Sequence, residues 1–196
     1  MPDQRTIWIR RVALMAIVAL VVAVPLTIAL RGDDDDPDPA PEAAEPAAPQ
    51  LGQLERNRRL AVRLRLPDGW KEQQRKAGDA VAYRSSDGSV LVAISAPGPS
   101  SDADSIQKAA VDGIKGQYRA VDVVDTFSRR RLGRHPAETT AISARNPRTR
   151  DPLRILVSTA KGKKRAYLVE VFAAGSDPTA AQVEAQAVLN GLRLQG

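Results

Sequence analysis

Residues 80–118 read "AVAYRSSDGSVLVAISAPGPSSDADSIQKAAVDGIKGQY", and they pass from one hydrophobic period to another. "AVAYRS" and "VLVAISA" flank "SDGS", whose Asp87-Gly88 pair marks a hairpin turn. In the second run, residues 90–96, apolar side chains occupy both faces, so this strand is expected to be central and covered. "PGPSSDADS" ends the hairpin and starts a helix; Ser101 and Asp104 are spaced as a capping box with aspartate in the usual glutamate position. Ile106, Ala110, Ile114 and Tyr118 then fall at helical spacing and predict one apolar stripe.

On the N-terminal side, "LAVRLRL" (60–66) alternates, with Leu60, Val62, Leu64 and Leu66 facing inward and Ala61, Arg63 and Arg65 outward. "PDG" turns the chain into Trp70, which reads as a core anchor beside that strand rather than as a ligand platform. On the C-terminal side, residues 121–132, 137–145, 153–161 and 165–174 read as a strand meander with loops at Gly133, Pro147 and Gly162. Asp177-Pro178 caps and opens a last helix reaching about Asn190, with Ala181, Ala185, Val188 and Leu192 as its apolar stripe. The order β-β-β-α-β-β-β-β-α predicts an α+β domain, an antiparallel β-sheet with two packing helices.

Six features together resemble a known fold: "LRLPDGW", "VLVAISAP" with the helix after it, "LGRHPAETT", "AYLVEVFAAG", and the last helix with "LNGLRLQ". They are similar to the fold shared by the PsbP proteins of photosystem II, the Ran-binding Mog proteins and bacterial envelope lipoproteins of the LpqN type. The resemblance covers about residues 60–195 and implies a PsbP-like fold with a binding or accessory role. It implies no reaction, and the anchor cysteine of the lipoproteins is missing here.

Residues 12–30, "VALMAIVALVVAVPLTIAL", are uncharged. As a helix, nineteen residues cover about 28 Å, close to the hydrocarbon thickness of a bilayer. Arg5, Arg10 and Arg11 precede the run and only Arg31 follows before "DDDD", which predicts residues 1–11 in the cytoplasm and the rest outside. A cleaved signal peptide is the rival, but its apolar core is normally shorter and Thr27-Ile28-Ala29 is a poor cleavage triplet. Residues 31–55 are expected to form a disordered acidic linker, because residues 32–50 hold five prolines and seven acids and no aromatic residue. At roughly 3.1 Å per residue, such a spacer reaches up to about 60 Å. A calcium loop at Asp33–Asp36 lacks the needed glycine and terminal glutamate. Residues 56–196 make the extracytoplasmic domain.

Charge divides in the same place. The chain holds 29 basic and 23 acidic residues, of which residues 1–50 take four and eight, so the remainder carries 25 and 15. That basic body is compatible with an anionic partner. The candidate anionic-surface residues are Arg129, Arg130, Arg131 and Arg134; Arg145, Arg148 and Arg150; and Lys161, Lys163, Lys164 and Arg165. The same charges would serve equally as strand-edge protection if scattered. Nucleic acid is not an expected partner, since aromatic residues do not interleave with the basic groups. Cysteine is absent, which excludes disulfides, thiolate zinc sites and a cysteine nucleophile. His135, the one histidine, sits in "GRHPAE" and reads as an exposed turn residue. No phosphate loop, G-x-S-x-G elbow or H-E-x-x-H occurs. No catalytic residue, metal ligand or cofactor is therefore expected. The functional expectation is a monomeric, single-pass plasma-membrane protein. It presents a non-enzymatic envelope module that binds a protein or an anionic partner. An envelope hydrolase or transferase with an unrecognised active site is the alternative.

Overall fold

The strand expected to be covered on both faces, Val90–Pro99 (β5), lies inside a seven-stranded antiparallel sheet. The computed structural model describes residues 51–73, 80–174 and 178–195. The expected membrane span 12–30 and linker residues 31–50 lie outside these. Among the described residues, no helix is long and apolar enough to cross a membrane.

The chain runs Leu51–Asn57 (β1), Val62–Pro67 (β2), Lys71–Gln73 (β3), Ala80–Arg84 (β4), β5, helix Ala103–Gln117 (α1) and Arg119–Leu132 (β6). It continues through His135–Arg145 (β7), Pro152–Lys161 (β8), Arg165–Ala174 (β9), helix Pro178–Gly191 (α2) and Arg193–Leu194 (β10). The large sheet has the order β3-β4-β5-β9-β8-β7-β6, and β1-β2-β10 forms a second, small antiparallel sheet.

Alternation along β9 shows how the layers form. Tyr167, Val169, Val171 and Ala173 enter a cluster with Leu60, Val62, Leu64 and Leu66 of the small sheet and with Ala185, Val188 and Leu192 of the α2 segment. Ala166, Leu168, Phe172 and Ala174 enter the opposite cluster, with Ile106, Ala110, Ile114 and Tyr118 of the α1 stripe. The domain thus has three layers: α1, the large sheet, and the small sheet beside α2. Burial and the neighbouring charge of Glu170 push the Tyr118 hydroxyl pKa up. Trp70 packs on the edge of the first cluster, and its indole N–H donates to Glu184 Oε1 of α2 at 2.6 Å. That arrangement makes it the anchor its position predicts.

The hairpin between β4 and β5 closes through Asp87. Its Oδ1 accepts from Ser85 Oγ, Ser89 N and Ser89 Oγ at 2.6 to 2.9 Å, and Gly88 takes the positive φ of 78° that glycine tolerates. Burial raises the Asp87 pKa, but these hydrogen bonds outweigh it and hold the carboxyl below its ordinary range.

Three expectations need correction. Residues 51–55, placed in the linker, are paired strand: Leu54 faces Arg65 and Glu55 faces Leu64. A strand that gains its order from β2 carries little periodicity of its own. The Ser101–Asp104 capping box does not form. A short 3-10 turn, Ser100–Asp102, precedes α1, and Ser100 Oγ instead donates to the Gly162 carbonyl at 2.6 Å. The single expected sheet is two, with β3 and β10 as added short strands. Asp177, read as the last helix's cap, lies outside the described residues, while Pro178 is the first residue of α2.

Candidate functional site

Strand direction decides which basic clusters meet. Ala137 near the start of β7 pairs with Ala160 near the end of β8, and Lys161 pairs with Ala166. The β6–β7 and β8–β9 turns therefore share one end of the sheet, two strand spacings apart, which is about 10 Å. The β1–β2 turn joins them, because Arg165 Nη1 donates to the Arg59 carbonyl at 3.3 Å. Arg58, Arg131, Arg134, Lys161, Lys163 and Lys164 are all exposed at this basic pole. Arg129 and Arg130 lie in β6 just before the turn, with side chains outside the described residues.

Arg145, Arg148 and Arg150 are elsewhere. Arg145 pairs with Pro152 at the other end of β7 and β8, and ten strand residues separate the two ends by about 30 Å. Their loop folds on itself. Asn146 Oδ1 accepts from the Arg148 and Thr149 amides, and Arg145 Nη1 donates to the Arg150 carbonyl. The eleven candidate residues therefore do not form one patch. Two of the three clusters meet and the third braces a distant turn.

Lys161 Nζ pairs with Asp104 Oδ1 at 3.2 Å, an exposed contact of little energetic weight. Another ion pair among the described residues is Lys108–Asp112 on α1, at 2.6 Å. Arg58, Arg131, Arg134, Lys163 and Lys164 form none among those residues. Within the pole, Arg131, Gly133, Arg134, Leu189, Asn190 and Arg193 line a cleft of ≈ 330 Å³ between the β6–β7 turn and the end of α2. Arg193 escaped the sequence reading, because nothing local in "GLRLQG" says that this end of the chain meets the β6–β7 turn. Among the described residues, no three His, Cys, Asp or Glu side chains are placed to share a metal ion.

His135 is half-buried rather than exposed, and it begins β7. Its Nδ1 lies 3.3 Å from the Lys161 carbonyl and its Nε2 lies 3.3 Å from the Leu194 carbonyl, so the ring bridges the two sheets. A neutral ring donates to one of these oxygens only. His135→Ala is expected to cost about 1 kcal/mol, the usual net worth of such a hydrogen bond. Urea unfolding checks this, and an unchanged midpoint would show that the bridge carries no stability.

No protein-family model matches the chain, and no curated protein is similar to it in sequence. Among solved structures, one from Bacteroides thetaiotaomicron VPI-5482 superposes with a TM-score of 0.52 at 12% identity, over 75% of this chain and 50% of that one. The chain thus spans half the length of that protein. The solution structure of cyanobacterial PsbP (CyanoP) from Synechocystis sp. PCC 6803 gives 0.49 at 11% identity, over 79% of this chain and 98% of that one. LpqN, involved in cell envelope biogenesis of Mycobacterium tuberculosis, gives 0.40 at 10%, over 67% and 81% of the two chains. At 12% identity the first of these likenesses speaks of the fold alone.

Proposed function

We propose that this chain is a single-pass plasma-membrane protein holding a PsbP-like, non-enzymatic binding module outside the cytoplasm, and that the module takes an anionic envelope partner at its basic pole. The meeting of the β1–β2, β6–β7 and β8–β9 turns carries this reading. It leaves five exposed cations without an acidic partner among the described residues. Like charges held about 10 Å apart repel one another, and an anion seated among them relieves that repulsion.

The position of Leu51, the first described residue, supports the same reading. Leu51 pairs with Pro67, and the Gly69 turn lies against Ser86 of the β4–β5 hairpin, at the end of the large sheet remote from the pole. The basic pole therefore points away from the residue that joins the linker. The membrane part of the proposal rests on the uncharged run 12–30 and the arginines before it, with residues 1–11 in the cytoplasm.

The test uses the full chain in neutral-lipid nanodiscs, mixed with vesicles of phosphatidylglycerol or of phosphatidylcholine. Binding is expected to the anionic vesicles alone, weakening strongly when salt shortens the screening length from about 8 Å towards 3 Å. Each basic group near such a surface contributes on the order of 1 kcal/mol, so Lys163→Glu with Lys164→Glu is expected to weaken binding at least about tenfold. Arg148→Glu with Arg150→Glu, at the far end, is expected to change it little. Equal binding to both vesicle types, or equal loss in both double variants, would sink the assignment to this pole.

A further inference from the structure

We infer that the cleft between the β6–β7 turn and the end of α2 is a phosphoryl-anion site, with Arg131 and Arg134 as its clamp and Arg193 as its fixed wall. This deepens the anionic-partner reading and rests on it for the physiological source of the ligand.

Three arginines, one asparagine and no acidic residue line the cleft, whose ≈ 330 Å³ lies at the small end of ligand-pocket sizes. Arg193 is held in place: its Nη1 donates to the Asn190 carbonyl at 2.8 Å and to the Leu192 carbonyl at 3.0 Å. A guanidinium has five N–H groups, so three remain on Nε and Nη2 for a ligand. Asn190 Oδ1 accepts from Gln186 Nε2 at 2.9 Å, which leaves its amide N–H groups as the available donors. The side chains of Arg131 and Arg134 form no hydrogen bond or ion pair among the described residues.

One effect opposes an anion here. The C-terminal end of α2 carries the negative end of the helix dipole, equivalent to roughly half an elementary charge. Three full positive charges outweigh it, and Arg193 already covers the Asn190 carbonyl at that end. Planar guanidinium forks match the paired oxygens of a phosphoryl group, which favours this class over a halide or a single hydroxyl.

Gly133 sets the width of the cleft. It holds φ +61°, and a Cβ built on it would stand 2.9 Å from the Leu192 carbonyl oxygen. The turn bearing Arg134 can therefore press against the chain just before Arg193 only with glycine at that position.

Inorganic pyrophosphate is the probe. It is titrated into the ¹⁵N-labelled full chain in neutral detergent micelles, at ionic strength held constant with sodium chloride. Saturable shifts are expected at Gly133, Arg134, Asn190 and Arg193. Affinity is expected to fall at least tenfold in Arg134→Ala and Arg131→Ala and to change less than twofold in Lys163→Ala. Nanodiscs containing phosphatidic acid form a second arm. Competition with pyrophosphate assigns the site to lipid headgroups, and its absence assigns the site to soluble or polymer-borne phosphate.

Shifts that do not saturate, or that fall equally in Arg134→Ala and Lys163→Ala, overturn the cleft in favour of diffuse charge. Failure of the wider reading looks different. Pyrophosphate would still saturate at the cleft while Lys163→Glu with Lys164→Glu left vesicle binding intact.

Discussion

Gln107→Ala is expected to destabilise the domain by about 3 kcal/mol, whereas Lys108→Ala, one residue on, is expected to change it by less than about 0.5 kcal/mol. Gln107 is buried between α1 and the sheet, where its Nε2 donates to Thr140 Oγ1 at 3.0 Å and to the Val157 carbonyl at 2.9 Å. Its Oε1 accepts from Thr159 Oγ1. Truncation removes the partner of two buried hydroxyls and opens space beneath the helix, and each buried polar group left alone costs about 1 to 3 kcal/mol. Lys108 forms only an exposed pair with Asp112 one helical turn away. Urea midpoints of the two variants, at unchanged slope, measure the contrast. A Gln107→Ala loss as small as that of Lys108→Ala would mean that water replaces the side chain without cost.

The second large effect is expected in the small sheet. Leu64 is fully buried against the large sheet, and Leu64→Ala is expected to cost about 3 kcal/mol, in the range for deleting a core leucine. Ile114 lies in the other cluster, beyond the sheet, and Ile114→Val is expected to cost about 1 kcal/mol. Because the seven-stranded sheet separates the two clusters, the double variant is expected to show the sum within about 0.5 kcal/mol. A larger coupling, measured by the same unfolding cycle, would show that the strands shift to pass strain from one face to the other.

Gln107 and Ile114 also show where sequence periodicity succeeds and where it stops. Ile106, Ala110, Ile114 and Tyr118 were legible as a buried stripe because apolar residues three and four apart occupy one helix face. Gln107 lies on the same side, but a polar residue gives no such signal, and its partners are 33 to 52 residues away in the chain. The candidate site divides likewise. The runs around Arg131 and Lys163 are visible as charge, yet nothing local separates them from Arg148 and Arg150 at the opposite end.

Local sequence determined β2, β4 to β9 and the two helices in their order, their inward faces and the Asp87-Gly88 hairpin, because each depends on residues within a few positions of one another. It also determined an uncharged run at residues 12–30 followed by an acidic stretch. Tertiary structure alone decided that β1 is a strand, that the strands divide into two sheets, and that Arg193 stands beside Arg131 and Arg134. These outcomes depend on pairing between distant segments, as between Arg165 and the Arg59 carbonyl, 106 residues apart. Burial of the two sheet faces selects that pairing, and the free energy involved belongs to the whole domain rather than to any one segment.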